Sequence, residues 1–566
     1  MVIRTRELEL NLIQSLNQHF PTLNFVENQS SLKVSLNTAI FHDVIKTLKK
    51  DLGFIFLLDI FATDFLSYKG SKTRSKRFAV TYHLLHLEEH KRLVVEVEVN
   101  EGESLASLVD LWANAPWPER EIAEMYGIQF DNHKTQKLLT PAHLKGFPLR
   151  KDWENSKVDI DQLSFEKPQF EWLAEIDDDE KLCRQVVDLN PSHPAIQGTF
   201  IVRAELLGNK VKRALVEIGM QHRGVEKIAE SKQYGQFTPY AERLNFSSPM
   251  MGAIGWAKSV EDALDLEITD RCQALRMIMM ELSRILDHAT CLAAMAQDLN
   301  AWDASAIFHR IRKHISALFV SYNGSRLMGP AVRIGGMVYD LPIGWVTKCL
   351  DAIHLISNEL SEVLNLLNRA PSWLIFHGEG EMNAAQAIEW GFSGPCLRAC
   401  GVNYDLRKNS PYYFYQDVEF EVPLGINGDP YDRYLVRAEE IQQSIKIISQ
   451  VLDHIPSGSI QTDDPRLAKP TGTLRLTSAD YAKHFDLYQN GTAIEAGEYY
   501  SFIESSNGEL GFHFMSDGSG VPYRLRVRAP SFYHFQSFTS SIRDVSLDSA
   551  TAILSSLNAI SGEIDR

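Results

Sequence analysis

Cysteine is scarce in this chain, with six residues among 566. So few thiols cannot build a disulfide framework, and their number fits a reducing compartment. Basic residues are outnumbered, since 57 Lys and Arg face 73 Asp and Glu, for a net charge of −16. This balance argues against a general nucleic-acid-binding protein, which presents a basic field. No stretch approaches the roughly 18 consecutive apolar residues that span a bilayer.

The usual motifs of nucleotide and metal chemistry are absent from the sequence as well. It contains no P-loop, no dinucleotide-binding glycine pattern in a strand–turn–helix context, and neither H-E-x-x-H nor G-x-S-x-G. Cys396 and Cys400 form a single C-x3-C pair, whereas zinc and iron–sulfur sites usually need two close pairs. We therefore expect the cysteines to be buried free thiols and the chain to bind no metal.

Residues 1–153 read as a small α+β domain with a mainly antiparallel sheet. The continuous apolar run GFIFLLDIFATDF (53–65) predicts a buried strand, and RFAVTYHLLHL (77–87) predicts a second. The alternation in RLVVEVEVN (92–100) predicts a half-buried strand. Helical patterns occur in FHDVIKTLKK and, after Glu101, through SLVDLWANA and WPEREIAEMYG.

Residues 154–182 contain ten Asp or Glu and three Lys, which predicts a solvated acidic connector. Residues 183–566 read as a second, mainly helical domain. Asp429 followed by Pro430 predicts the start of a helix, and the segment around Leu207–Lys210 predicts a β-hairpin. GELGFHFMSDGSGVPYRLRVRAP predicts another hairpin near the C-terminus. Long helical periods cover about 257–298, 303–328, 343–368 and 430–455.

A series of segments interleaves glycine and proline with Arg, Asp and His. Such segments predict tight loops whose charges are paired within the chain or with a partner. We expect the Arg-rich loops Gly146–Lys151 and Asp405–Lys408 to be buried in this way. The series comprises PEREIAEMYGIQF (118–130), GFPLRKDW (146–153), NPSHPAIQG (190–198), IGMQHRGVEK (218–227), RIGGMVYDLP (333–342), LRACGVNYDLRK (397–408) and YRLRVRAPSF (523–532).

These segments resemble two subunits of respiratory complex I, the NADH:quinone oxidoreductase. PEREIAEMYGIQFDNH and GFPLRKDW resemble its 30 kDa-type subunit. HPAIQG, IGMQHRGVEK, LSRILDH, RIGGMVYDLP, LRACGVNYDLRK and the terminal GEIDR resemble its 49 kDa-type subunit. The order of the motifs is that of a chain in which the two subunits are fused, with the acidic connector at the junction.

The resemblance implies a fold for the second domain, that of the large subunit of nickel–iron hydrogenases. Those enzymes hold their metals with two Cys-x-x-Cys pairs. The corresponding places here read AERLNFSSP (241–249) and RAPSFYHFQ (528–536), and neither contains a cysteine. Without thiolates a nickel–iron site cannot be assembled, so hydrogenase activity is excluded.

The resemblance also implies a quinone site at the place of the lost metal. The loop residue His193 is kept, but the histidine that would contact the quinone is replaced by Gln197, and the quinone-contacting tyrosine by Phe246. The aspartate that would pair with that histidine corresponds to Asp298. Near the terminal iron–sulfur cluster of the family, an arginine is kept as Arg243 and a histidine is replaced by Met328.

These replacements remove titratable groups from the implied site. Glutamine can donate a hydrogen bond but cannot titrate, and phenylalanine can stack on a ring but has no phenolic proton. Proton delivery to a reduced quinone therefore cannot follow the family's His–Tyr route. Asp298 lacks its imidazole partner, so we expect it to find another, such as a nearby Arg or Lys.

The leading interpretation is a fused peripheral-arm subunit of a complex I-like NADH:quinone oxidoreductase, which forms part of the quinone chamber and couples electron transfer to ion translocation. It would carry no cofactor itself. FMN and the iron–sulfur clusters would lie in partner subunits, which include the small iron–sulfur subunit and the membrane arm, on the cytoplasmic side of a bacterial inner membrane. The alternative is a non-catalytic scaffold subunit of a complex related to energy-converting hydrogenases, without metal or quinone.

Overall fold

A computed structural model gives the fold of the chain as two compact units. It describes residues 16, 18–28, 31–70, 74–133, 136–141, 143–154, 184–189, 191–194, 196, 198–374, 377–467 and 477–566. The first unit comprises residues up to 138 together with 146–153 and 388–391. The second comprises 139–145, 154–387 and 392–566. The predicted acidic connector lies outside the described residues except for Glu154.

The first unit is built on a five-stranded sheet in the order β1-β2-β5-β4-β3. All its neighbours are antiparallel except β2 and β5, as the mainly antiparallel prediction required. A short parallel pair, β6 and β7, completes the strands. The elements are β1 (Val26–Asn28), β2 (Ser31–Leu36), α1 (Phe41–Lys50), β3 (Phe56–Asp64), β4 (Phe78–His86), β5 (Lys91–Val99), β6 (Ser104–Ala106), α2 (Pro116–Tyr126) and β7 (Gln129–Asp131).

Two local predictions for the first unit were wrong. The alternating strand β5 is buried along most of its length instead of on one face. Its Glu96 is buried because Lys33, at 3.0 Å, and Arg74 both form ion pairs with it. SLVDLWANA (107–115) does not form a helix, since turns occupy this stretch between the end of β6 and the start of α2 at Pro116. Proline at the first position of α2 favours a helix start at that residue.

The second unit combines long helices with β-strands. Its helices are α3 (Val225–Ala229), α4 (Thr238–Glu242), α5 (Pro249–Ala263), α6 (Asp270–Asp298), α7 (Trp302–Asn323), α8 (Trp345–Leu367), α9 (Pro371–Leu374), α10 (Ala384–Glu389, which runs into the 388–391 segment), α11 (Gly394–Ala399), α12 (Leu406–Asn409), α13 (Pro430–Asp453), α14 (Ser478–Asn490), α15 (Pro530–Gln536), α16 (Phe538–Ser541), α17 (Leu547–Leu557) and α18 (Ser561–Ile564). A 3-10 turn covers Tyr234–Phe237. Its strands are β8 (Arg184–Asp188), β9 (Ile201–Leu207), β10 (Lys210–Glu217), β11 (Val332–Arg333), β12 (Gly336–Met337), β13 (Gly497–Ser505), β14 (Gly508–Ser516) and β15 (Arg524–Arg528).

Both predicted hairpins of the second unit are confirmed. β9 and β10 pair antiparallel across Gly208 and Asn209, and β8 joins them on the other side. β14 pairs with β15 across the glycine-rich turn, and β13 completes this antiparallel sheet. Asp429 caps α13, because its side chain accepts a hydrogen bond from Asp432 N at 2.7 Å.

The predicted helix over 257–298 is two helices, α5 and α6. The chain leaves α5 through Asp265, whose φ of 48° lies in the left-handed region, and Thr269 caps the start of α6. α6 is 29 residues long and buried on nearly every side, so it forms the axis of the second unit's core. Within the described part of the chain, no helix is both long and apolar enough to span a membrane.

Candidate functional site

His193 lies in the loop that follows β8 and is fully buried. The loop turns tightly after it, since Ile196 N donates to His193 O at 3.0 Å. Gln197, four residues further along, lies outside the described residues. The structure therefore places one of the two predicted loop residues of the quinone site.

Asp298, the last residue of α6, holds this loop in place. Its carboxylate accepts a hydrogen bond from Ser192 N at 2.7 Å and another from the hydroxyl of Ser555. Burial raises the pKa of Asp298, and the hydrogen bonds from Ser555 and Ser192 restrain that rise. We expected an Arg or Lys partner, but no ion pair of the described residues includes Asp298; neutral donors take that role.

Asp287 is the carboxylate that sequence reasoning missed. It lies on α6 eleven residues before Asp298, about three turns, so both side chains project from the same face of the helix. It accepts hydrogen bonds from Asn558 Nδ2 at 2.8 Å, from Asn245 Nδ2 at 3.4 Å and from the hydroxyl of Ser247. The eleven-residue spacing was the signal in the sequence that could have identified it.

Burial lowers the pKa of His193 to about 4, although Asp287 and a hydrogen bond with Asn558 favour the charged ring. Arg437 and Arg312 oppose protonation further. His193 is therefore a neutral imidazole at physiological pH, and it can offer a hydrogen bond but not an acidic proton.

Phe246 is half-buried in the loop between α4 and α5. Its two neighbours, Asn245 and Ser247, both donate to Asp287, and Asn245 Oδ1 also accepts from Ser247 N at 3.0 Å. The loop that carries the ring is thus fixed to α6. We call His193, Asn245, Asp287, Asn558 and Glu563 the amide-bonded cluster, since the amides of Asn245 and Asn558 donate to Asp287, and Asp287 with these amides influences the pKa of His193 and of Glu563.

The side chains of the two residues that the resemblance places near the iron–sulfur cluster take no part in these hydrogen bonds. Arg243 ends α4 with an exposed side chain that donates to Pro239 O at 2.5 Å. Met328 is half-buried in the loop after α7, where its carbonyl accepts from the hydroxyl of Ser325. Hydrogen bonds and ion pairs among the described residues do not connect Met328 to the amide-bonded cluster.

A second buried polar group of this unit is made of ion pairs. We call it the ion-paired block; it comprises Glu281, Arg284, Arg398, Asp405, Arg407, Glu440 and Glu504. Arg398 is its centre, donating to Glu440 at 2.7 Å and to Glu504 at 2.8 Å. Glu440 also accepts from His288, the neighbour of Asp287, at 2.8 Å.

The arginines of the block keep the carboxylates of Glu281 and Asp405 charged. Burial opposes ionisation, but Arg284 and Arg407 lower the pKa of Glu281 to about 2, and Arg407 with Arg398 lowers that of Asp405 to about 2. Arg407 is 1% exposed, which confirms the predicted burial of the Asp405–Lys408 loop at that arginine. In the other Arg-rich loop, Arg150 is half-buried and donates to Tyr126 O at 2.7 Å.

The cysteines that the structure describes are all buried free thiols, as predicted; Cys183 lies outside that set. Burial raises the pKa of Cys291, Cys349 and Cys400 to about 12, so these thiols do not ionise at neutral pH. Since metals bind the thiolate, they are poor ligands. Across the described ranges, no group of three or more His, Cys, Asp or Glu side chains is arranged to hold a metal ion.

Comparisons with known proteins match both parts of the chain. Residues 34–158 match the family model described as respiratory-chain NADH dehydrogenase, 30 Kd subunit, and residues 298–566 match that of the 49 Kd subunit. The chain is 38% identical to the C/D-type NADH-quinone oxidoreductase subunit of Bdellovibrio bacteriovorus, over 93% of this chain and 96% of that protein. It is 30% identical to the C/D-type subunit of Aeromonas hydrophila, over 99% of this chain and 96% of that protein.

A relative without the fusion matches the second part. The D-type NADH-quinone oxidoreductase subunit of Ehrlichia canis is 38% identical over 69% of this chain and all of its own length. The two family matches and the full-length relatives agree on one assignment and do not favour the hydrogenase-related scaffold. The chain belongs to the family of fused C/D-type subunits of NADH-quinone oxidoreductase, peripheral-arm subunits of respiratory complex I.

Proposed function

We propose that this chain forms part of the quinone-reduction chamber of its oxidoreductase, with His193, Gln197, Phe246 and Asp298 nearest the quinone. The observation that carries the proposal is the hydrogen bond from Ser192 N to the Asp298 carboxylate, 2.7 Å long. It joins the His193 loop to the end of α6. The Phe246 loop is held eleven residues earlier on the same helix through Asp287.

The side chains of this site act by binding and orienting the quinone. Gln197 can donate one hydrogen bond to a quinone carbonyl, and the half-buried ring of Phe246 offers a face on which a quinone can stack. His193 is a neutral donor or acceptor. The site thus binds and orients the quinone, while electrons arrive from a cluster of a neighbouring subunit, the small iron–sulfur subunit, with Arg243 and Met328 on that side.

The rest of the proposal concerns the assembly. FMN, the iron–sulfur clusters and the NADH site belong to partner subunits, and the membrane arm is a further partner, with the chain on the cytoplasmic face of a bacterial inner membrane. Residues 154–182 serve as the acidic connector between the 30 kDa-type part (1–153) and the 49 kDa-type part (183–566). The latter is proposed to have the mainly helical fold of the hydrogenase large subunit.

The test restores the family's titratable groups in the assembled complex by the double change Gln197→His and Phe246→Tyr. A well-placed acid changes a rate by about 10²–10⁴-fold. We therefore expect NADH-driven reduction of a short-chain ubiquinone to change in rate and to gain an imidazole-like dependence on pH. The measurement is the initial rate in native membranes between pH 5.5 and 8.5.

The matched control places the same two changes on α14, as Phe485→Tyr and Gln489→His, where Phe485 is 68% exposed. It should leave the rate and pH profile unchanged. Electron transfer from NADH to ferricyanide, which does not use the quinone site, reports assembly. If the double variant assembles and its quinone kinetics and pH profile equal those of the wild type, Gln197 and Phe246 do not line the chamber.

A further inference from the structure

The end of α17 is buried between other helices of the second unit. We call its last residues and the one that follows, residues 555–558, the α17 turn. All four are at most 1% exposed, and α17 packs against α6 and α13. The helix ends at Asn558, whose φ of 53° lies in the left-handed region that asparagine tolerates at a helix end. None of the four side chains is charged, so the turn makes its contacts through hydrogen bonds.

The backbone of the α17 turn is fixed by donors from two other helices. Carbonyl groups at the C-terminal end of a helix have no partner within the helix itself. Here Arg437 Nη1, on α13, donates to Ser556 O at 2.6 Å. The thiol of Cys291, on α6, donates to Ser555 O at 3.5 Å. The turn is therefore tied to both of the helices that it packs against.

A second arginine of α13 also holds the turn at Ser556. Arg433 Nη1 donates to the Ser556 hydroxyl at 3.0 Å. Arg433 and Arg437 are both fully buried, and no ion pair among the described residues includes either of them. A cation is stabilised at the C-terminal end of a helix, where the helix dipole is negative. The end of α17 thus stabilises two buried charges, and those charges in turn hold it in place.

The side chain of Ser555 connects the turn to the His193 loop. Its hydroxyl donates to one oxygen of the Asp298 carboxylate, and the other oxygen accepts from Ser192 N at 2.7 Å. Ser192 directly precedes His193 in the chain. One carboxylate therefore links the turn to this loop.

The side chain of Asn558 connects the turn to the Phe246 loop in the same way. Its Nδ2 donates to Asp287 Oδ2 at 2.8 Å. Asp287 Oδ1 accepts from Asn245 Nδ2 at 3.4 Å and from the hydroxyl of Ser247, the two residues that flank Phe246. Each connection thus runs from the turn through one carboxylate of α6 to one loop of the proposed quinone site.

We propose that the α17 turn is a positioning element of the quinone site, which fixes the His193 loop through Ser555 and the Phe246 loop through Asn558. Because both connections start from one turn with a fixed backbone, the turn sets the separation of the two loops and so the space left for the quinone. It acts through the two carboxylates of α6 and need not touch the quinone. This inference rests on the proposed function, since it concerns how the proposed site is held.

Each connection can be removed by itself in the assembled complex. Ser555→Ala removes the hydroxyl that binds Asp298, and Asn558→Gly removes the amide while keeping a residue suited to positive φ. Hydrogen exchange, measured by mass spectrometry, should become about 10–100-fold faster at 191–194 in Ser555→Ala and at 244–248 in Asn558→Gly. The reason is that each variant loses a hydrogen bond to a charged group. The other segment should stay as in the wild type.

A change beneath the turn should affect both loops together. Arg437→Met removes the donor to Ser556 O, so we expect faster exchange at both 191–194 and 244–248. If this variant fails to assemble, Ser555→Ala and Asn558→Gly still decide the question, because they leave the buried guanidinium groups in place. The matched control is Thr551→Val, one turn earlier on α17, which removes a hydroxyl that donates within its own helix. It should change neither segment.

Quinone kinetics distinguish a positioning role from a purely structural one. Since the turn acts on how the quinone is held, the KM for a short-chain ubiquinone should rise about three- to tenfold in Ser555→Ala and in Asn558→Gly, with kcat within about twofold of the wild type. NADH-driven reduction in native membranes gives both constants, and electron transfer from NADH to ferricyanide reports assembly. Thr551→Val should keep the wild-type constants.

The two readouts separate failure of this inference from failure of the proposed function. Exchange that stays unchanged in Ser555→Ala and in Asn558→Gly, or that rises at both loops in each of them, overturns the inference, while normal quinone reduction leaves the proposed function intact. Loop-specific exchange with an unchanged KM would show that the loops are held but do not bind the quinone. That result refutes the proposed site and the inference with it.

Discussion

The two buried polar groups of the second unit differ in what surrounds their charges. Members of the ion-paired block and of the amide-bonded cluster are excluded from solvent to the same degree, and α6 contributes to both. In the block, guanidinium groups face carboxylates at 2.7–3.2 Å. In the cluster, amides and hydroxyls face the carboxyls and the imidazole.

The comparison shows that burial alone does not decide ionisation. Burial opposes charge in both groups, yet the pKa of Glu281 falls to about 2 beside two arginines, while that of Glu563 rises to about 7 among neutral donors. Glu504 is the exception in the block. Burial raises its pKa despite Arg398, as burial does for Glu563 in the cluster. Glu281 and Asp405 of the block therefore stay charged near neutral pH, whereas Glu563 of the cluster changes its charge there.

The largest expected effect comes from breaking the block at its centre. Arg398→Met leaves Glu440 and Glu504 without their guanidinium partner, and removing one partner of a buried pair costs about 3–5 kcal/mol. Urea unfolding of the purified chain measures the loss. Arg466→Met, at a pair that is 46% exposed on its arginine side, is the control and should cost about 0–1 kcal/mol. Equal losses at both sites would show that the block does not depend on its internal pairing.

The next effect concerns the imidazole of the amide-bonded cluster. The folded-state pKa of His193 is about 4, below the ordinary value of 6.5, so only the unfolded chain takes up a proton as the pH falls below 6.5. Wild-type stability should therefore fall by about 3 kcal/mol more than that of His193→Asn between pH 7 and pH 4. Urea unfolding at a series of pH values measures the difference. His354→Asn, at an exposed histidine, should show no such divergence.

The smallest expected effect is at Asp298, whose carboxylate is bound by neutral hydrogen-bond donors, as in the amide-bonded cluster. In Asp298→Asn, one carboxylate oxygen becomes an amide N–H that faces a donor, so either Ser192 N or Ser555 loses its acceptor, at about 1–3 kcal/mol. Hydrogen exchange of the 191–194 segment should become faster. Asp351→Asn, at an exposed position of α8, is the control. Unchanged exchange in Asp298→Asn would mean that this carboxylate does not anchor the loop.

Periodicity in the sequence predicted the long helices well where they have clear starts. α7, α8 and α13 begin within two residues of the predicted positions, and at α13 the start is marked locally by Asp429 and Pro430. Periodicity failed between α5 and α6, where apolar residues continue across a break that one left-handed residue, Asp265, introduces. It also failed at β5, since a strand that looks half-polar becomes buried when Lys33 and Arg74 pair with Glu96.

The sequence by itself determined the starts of three long helices, both hairpins of the second unit, the absence of titratable side chains at Gln197 and Phe246, and the family through its ordered motifs. It could not reveal which buried charges are paired, because those partners are distant along the chain. His288 and Glu440 are 152 positions apart, and Asp298 and Ser555 are 257 apart. Only tertiary packing decided that the amides of Asn245 and Asn558 bind Asp287 while Arg398 pairs with two glutamates, because these partners come together only in the folded chain.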